Sequence, residues 1–207
     1  MKQEWKKNDK LFYLPKDQPE KIIVPKFNFF SVEGKGNPND KFFAEYIGVL
    51  YSLSYAVKMG PKQGFVPDNY FDYTVFPLEG VWDIDDQAKN NFNGTIDKNS
   101  LIFKLMIRQP DFVTSDFAFE TIERTKKKKP NDLLNNVKFE TIEEGLCVQL
   151  LHTGSYDSEP ESFRKMEAFT REMNLKRISH QHREIYLSDA RRVAPEKLKT
   201  VLRFQVE

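Results

Sequence analysis

The 207-residue chain carries 32 Lys plus Arg against 31 Asp plus Glu, a balance without the cationic excess that a duplex-binding surface needs. It has one cysteine, Cys147, so an internal disulfide framework is excluded, and no apolar run approaches the roughly 20 residues of a membrane helix. Aromatic side chains are abundant, with 18 Phe, 8 Tyr and 2 Trp, and their faces serve both core packing and stacking on flat ligands.

Residues 1–21 are charged and mixed, and are expected to form a peripheral N-terminal arm. The first nine are polar, without an apolar signal core. Together with the single cysteine this gives the cytoplasm as the expected location. Residues 22–32 read as a strand, β-branched and aromatic, broken by Pro25 and ending at Gly34 and Gly36. Asn37 as a cap, Pro38 at the first helical position and Asp40 near the positive end predict a helix start. Phe43, Tyr46, Ile47, Leu50, Tyr51, Ser54 and Val57 recur at helical spacing, and Gly60-Pro61 stops the helix. Strands are predicted over 73–82 and 100–108, with turns at Asn93-Gly94 and Lys98-Asn99. A linker helix and a Lys-rich loop fill about 116–136. The run Lys126 to Lys129 reads either as an anion patch or targeting signal, or as a solvated loop after a helix C-terminus, where lysines suit the dipole. Pro130 and the surrounding acids favour the solvated loop.

The second half repeats the order. Residues 145–152 form an apolar strand, Thr153-Gly154-Ser155 a turn, and Pro160 a first helical residue. Phe163, Met166, Thr170 and Met173 make the helix stripe, Asn174 ends it, and strands follow over 184–188 and 199–206. Lys104 to Arg108 matches Lys199 to Arg203 at both charges and at the fourth position. The fold class is therefore α+β. Two pseudo-symmetric βαββ repeats, about 22–115 and 137–207 within a single domain over 22–207, would form an antiparallel sheet with two main helices on one face.

Three places have residue types suited to chemistry. In Phe76-Pro77-Leu78-Glu79-Gly80-Val81-Trp82, a bend at the Pro would aim Glu79 and Trp82 into a shared cavity. The alternative is a solvent-exposed Glu79 and a Trp82 that only packs. In an extended chain His180, His182, Glu184, Tyr186 and Ser188 share one face, while Ile185 and Leu187 share the other. Successive groups on that face lie about 7 Å apart, too far to converge on one ion. A metal would need a further ligand such as His152, and no metal or cofactor is expected. The third place is the set of tyrosines Tyr46, Tyr51 and Tyr55 on the first helix, with Tyr156 at the entry to the second. Packing with hydroxyls at the rim is the competing reading for the helix tyrosines. Cys147 lacks a neighbouring base, and Gly34-Lys35-Gly36 lacks the remaining spacing of a phosphate loop.

The stretch Glu143-Glu144-Gly145-Leu146-Cys147-Val148-Gln149-Leu150-Leu151-His152-Thr153-Gly154-Ser155-Tyr156 resembles the second-half signature of the GyrI-like small-molecule-binding family. So do Glu184-Ile185-Tyr186-Leu187-Ser188-Asp189 and Pro195-Glu196-Lys197-Leu198-Lys199-Thr200, and Pro77-Leu78-Glu79-Gly80 resembles the first-half signature. The resemblance covers nearly all of 28–206. It implies a ligand pocket between the two repeats for amphipathic, often cationic and aromatic compounds, with an acid at the Glu184 position that binds or acts on the ligand. Stand-alone members include hydrolases that open the strained cyclopropane of DNA-alkylating natural products. Others are effector domains of transcription regulators or inhibitors of DNA gyrase. The chain departs from the pattern at Arg183, which is expected to pair with Glu184, and at Asp83, which replaces a second aromatic.

The expected function is binding of small amphipathic or cationic aromatic compounds, in detoxification by sequestration or by hydrolysis of cyclopropane-bearing genotoxins. The alternative is a protein-interaction module of the gyrase-inhibitor type. Glu184, Glu79 and Tyr186 are the candidate catalytic residues. Trp82, Phe76, Tyr46, Tyr55, Tyr156 and His182 are the candidate ligand-binding residues. The expected partner is a small organic ligand, with no nucleic acid and no membrane, in a monomer or weak homodimer.

Overall fold

Short helices α1 (Trp5–Asn8) and α2 (Lys10–Tyr13) precede strand β1 (Glu20–Lys35), helix α3 (Lys41–Met59), strand β2 (Leu78–Ile84), short helix α4 (Asp86–Asn90) and strand β3 (Leu101–Gln109). Helix α5 (Ser115–Lys128), strand β4 (Lys138–Thr153), helix α6 (Glu159–Glu172) and strands β5 (His182–Tyr186) and β6 (Lys199–Gln205) complete the α+β chain. This is a computed structural model that describes residues 2–91 and 97–207. The expected Asn93-Gly94 turn lies outside the described residues. Contacts divide the chain into two units. The first draws its described residues from Met1–Gln3, Phe27–Leu78 and Trp82–Ile142, the second from Glu4–Lys26, Glu79–Val81 and Glu143–Glu207.

In the first unit, β1 pairs antiparallel with β3, from Asn28 opposite Gln109 to Lys35 opposite Ile102. The strand order there is β1–β3–β2. Helix α3 packs on β3 and α5. It buries Val49, Leu50, Leu53, Ser54 and Val57, a stripe at helical spacing. The helix starts at Lys41 rather than at Pro38, because Asn37 spends its side-chain oxygen on the amide of Asn39 and closes a turn there. Residues 73–77, expected as strand, are not part of β2. Tyr73 makes an isolated bridge with Gln3, and Pro77, which has no amide donor, precedes the paired segment. The Lys126 to Lys128 part of the expected loop forms the last turn of α5, with Lys129 as its cap.

In the second unit, β4 pairs antiparallel with β6, from Cys147 opposite Gln205 to Thr153 opposite Lys199. Strand β5 pairs with β6 on its other edge, from Arg183 opposite Arg203 to Tyr186 opposite Thr200. Met166 of α6 joins Val148, Leu150, Leu202, Phe204 and Val206 in a core flanked by Phe163 and Phe169. Each large apolar side chain buried here contributes about 1.5–3 kcal/mol. The N-terminal segment, expected as a peripheral arm, buries Trp5 and Tyr13. Its backbone carbonyls at Leu11 and Phe12 accept hydrogen bonds from Gln149 and Arg203. No helix among the described residues is long and apolar enough to cross a membrane.

Candidate functional site

Strand β5 sorts its residues by face. Arg183 and Ile185 are buried on one side, and His182, Glu184 and Tyr186 share the other. Glu184 is 9% exposed, with its Oε1 3.1 Å from His182 Nε2. The ring of Phe163 meets the His182 imidazole edge-on at 4.8 Å. Tyr156 and Tyr186 meet edge-to-face at 6.1 Å. Four residues singled out in the sequence, Glu184, His182, Tyr186 and Tyr156, therefore lie in the second unit around one carboxylate.

A fifth residue, not expected from the sequence, belongs with them. Glu159 opens α6 and is 6% exposed. Its Oε1 is buried with no hydrogen-bond partner. Burial pushes its carboxyl up to about 10, with the negative charges of Glu184 and Asp157 adding to the effect. Burial also pushes the Tyr156 hydroxyl up to about 12, helped by the charges of Glu184, Glu159 and Asp189. The helix start would ordinarily favour a carboxylate at this position; burial beside two other acids outweighs it.

The turn before α6 fixes where these groups stand. His152 Nε2 faces the Ser155 carbonyl at 3.1 Å, an acceptor only, so Nε2 carries the proton. Nδ1 then accepts from the Ser162 hydroxyl at 2.9 Å. Ser158 Oγ donates to the same Ser155 carbonyl at 2.7 Å. Gly154 has φ +146, and a Cβ there would stand 2.7 Å from Ser158 Oγ and 3.2 Å from His152 Nε2. The turn accepts only glycine. His152, considered as a metal ligand, thus serves as a brace. Among the described residues, no group of three or more His, Cys, Asp or Glu is placed to hold a metal ion.

Glu79 has different surroundings. Its Oε1 accepts from Tyr13 OH at 2.9 Å and its Oε2 from Arg183 Nη1 at 2.6 Å. Arg183 Nε lies 2.9 Å from Glu144 Oε1, and Glu144 Oε2 accepts from Arg203 Nη1 at 2.8 Å. Arg203 continues to Gln149 Oε1 and to the Phe12 carbonyl. Burial by itself would raise the Glu144 carboxyl; the Arg183 and Arg203 charges outweigh it and hold the group below the usual carboxylate value. Arg183 pairs with Glu79 and Glu144 rather than with Glu184, because adjacent residues of a strand face opposite ways. The bend that would turn Glu79 and Trp82 together is regular strand, on which positions three apart also face opposite ways.

The remaining aromatic candidates lie in the first unit. Trp82 is buried against Phe43 and Phe103, with centroids at 5.8 and 5.5 Å. Tyr46 meets Phe103 edge-on at 5.4 Å. Gly34 leaves the room for this cluster, since a Cβ there would stand 2.5 Å from the Phe103 ring and 2.9 Å from Tyr46. The Arg108 guanidinium carbon lies over the Phe27 ring at 3.5 Å and over the Phe76 ring at 4.6 Å. Tyr55 is exposed beside Tyr51.

Comparison with known proteins supplies a frame. Residues 17–207 match the GyrI-like family, described as a small molecule binding domain. A hydrolase from Listeria innocua is 36% identical over 100% of both chains, with a TM-score of 0.90. An uncharacterized conserved protein from the same organism is 37% identical, with 99% of this chain and 100% of that one covered and a TM-score of 0.88. The C-terminal domain of EcmrR is 12% identical over 92% of this chain and 97% of that one, with a TM-score of 0.54, a likeness of fold alone. No curated protein matches the chain.

Proposed function

The chain belongs to the GyrI-like small-molecule binding family, and from that premise we propose that it binds small amphipathic, cationic or aromatic compounds at Glu184 and hydrolyses those that carry a strained cyclopropane. The two halves are read as βαββ repeats. The order β1–β3–β2 in one unit and β4–β6–β5 in the other supports that reading.

The observation that carries the proposal is the setting of Glu184. It is a nearly buried carboxylate held by an imidazole, with Tyr156, Tyr186 and Phe163 around it. Such a group attracts a cation, or orients and deprotonates a water. The aromatic rings offer faces for a flat ligand. A hydrolase from Listeria innocua, similar along the whole chain, supports the catalytic half of the proposal. Glu79 is assigned a positioning role, because Tyr13 and Arg183 already occupy its two oxygens. It holds Arg183 on the far face of the strand that presents Glu184.

In hydrolysis, Glu184 takes a proton from water as the water oxygen attacks the ring carbon. Strain lowers the barrier, so general-base help of about 10²–10⁴-fold is a useful contribution. Calorimetric titration with a flat aromatic cation tests the binding half. Glu184→Gln should weaken binding about 10-fold or more, the worth of one charged contact. Unchanged affinity contradicts the assignment.

A further inference from the structure

We propose that the cleft at the C-terminal end of α6 is a second binding site: it takes the phosphate head of a small phosphate monoester on Arg171, Lys176 and His180, and the apolar body on Leu175 and Ile178. The cleft has a volume of about 430 Å³, within the range of small-molecule sites. It lies wholly within the second unit. It shares no lining residue with the Glu184 cluster, so its ligand is independent of what Glu184 binds.

The charge of the walls is the first support. Arg171, Lys176 and Arg177 line the cleft against one carboxylate, Glu167. Three cations less one carboxylate leave an excess of two positive charges, on a chain whose charges otherwise nearly cancel. A phosphate monoester brings about −1.5 to −2 charges at neutral pH and three acceptor oxygens, which matches that excess where a single carboxylate would not. The α6 dipole accounts for Arg171, in the last turn of the helix. Its influence fades beyond that turn, so it does not explain Lys176, Arg177 and His180, which follow the helix. Glu167 is already engaged by Arg177 Nη1 at 3.2 Å. Lys176 meets Glu207 at 3.4 Å in an exposed pair, a contact of small net worth that a ligand anion can replace. The Arg171 guanidinium and the His180 ring make no hydrogen bond or ion pair among the described residues.

A wall built before any ligand arrives is the second support. Lys176 and Glu207 exchange both backbone hydrogen bonds, and Ile178 N donates to the Gln205 carbonyl. Between them Arg177 bridges Val206. The Arg177 guanidinium lies 4.4 Å over the Phe204 ring. Its Nη2 donates to the His180 carbonyl at 2.8 Å, which ties down the loop that carries His180. The five N–H groups of Arg177 meet three partners, and its buried Nε has none. Burial draws this guanidinium below its ordinary value more strongly than Glu167 raises it. Positive charge therefore remains for an anion in the cleft to offset.

Calorimetric titration with phenyl phosphate tests the site, in about 0.15 M salt, where the screening length of about 8 Å suppresses diffuse attraction. One-to-one, saturable binding is expected, tighter than that of inorganic phosphate. Arg171→Ala and Lys176→Ala should each weaken it about 10-fold or more. Both side chains are exposed, so the fold should survive, and circular dichroism checks that it does. Glu184→Gln should leave the affinity unchanged. Amide shifts in nuclear magnetic resonance should concentrate at residues 171–180. No saturable binding, binding retained in the double variant, or shifts centred elsewhere overturns the site. Equal affinity for inorganic phosphate overturns the monoester assignment.

Discussion

Arg183 Nη1 donates to Glu79 Oε2 at 2.6 Å, and the same guanidinium reaches Glu144 with its Nε at 2.9 Å. One cation thus holds two buried carboxylates. Arg183→Ala would leave Glu79 with Tyr13 alone and Glu144 with Arg203. The expected loss is about 3–5 kcal/mol of unfolding free energy, the usual cost of removing one partner from a buried ion pair. Urea denaturation measures it. A loss below about 1 kcal/mol would mean that the network is solvated.

Glu144 and Glu159, two acids of the second unit, give opposite pH dependences. Glu144 is held below the ordinary carboxyl value of 4.5. Its contribution is complete above that value and is lost as the pH falls through its folded-state titration. Glu159 is raised from 4.5 to about 10. Between those values the unfolded chain binds fewer protons than the native one, so stability falls as the pH rises. Glu159→Gln removes this second slope. Its advantage over the wild type should grow by at least about 1 kcal/mol between pH 5 and pH 8. Thermal or urea unfolding at several pH values measures the difference. A constant difference contradicts the placement of Glu159.

Gly34→Ala tests the aromatic cluster of the first unit. The added Cβ meets the Phe103 ring at 2.5 Å and Tyr46 at 2.9 Å, so the Phe103 ring must leave its present place against Trp82 and Tyr46. Overpacking of this kind costs about 1–3 kcal/mol. The tryptophan fluorescence should change with it, because Trp82 packs directly on Phe103. An unchanged spectrum and stability would contradict the packing.

Elements set by local periodicity were legible. The spacing of Leu50, Ser54 and Val57 located α3, and Phe163, Met166 and Thr170 located α6. Boundaries set by partners were not. Strand β4 begins at Lys138, where Glu140 and Thr141 reach Ser31 and Asn28 more than a hundred residues away. The face of Glu184 followed from strand alternation alone. The fate of Glu79 did not, because Arg183 lies 104 residues further along. Glu159 was missed because an acid beside Pro160 at a helix start reads as an exposed group favoured by the dipole. Its signal was the company of Tyr156 and Glu184, and those meet only after folding.

Glu184 is proposed to perform chemistry on a bound guest. The most direct measurement is the mass-detected yield of ring-opened product from a cyclopropane-bearing alkylator, counted per protein molecule for the wild type and for Glu184→Gln. Many products per wild-type molecule are expected, with a loss of about 10²-fold or more in the variant. Equal yields from the two proteins, or no ring-opened product from the wild type, would contradict it.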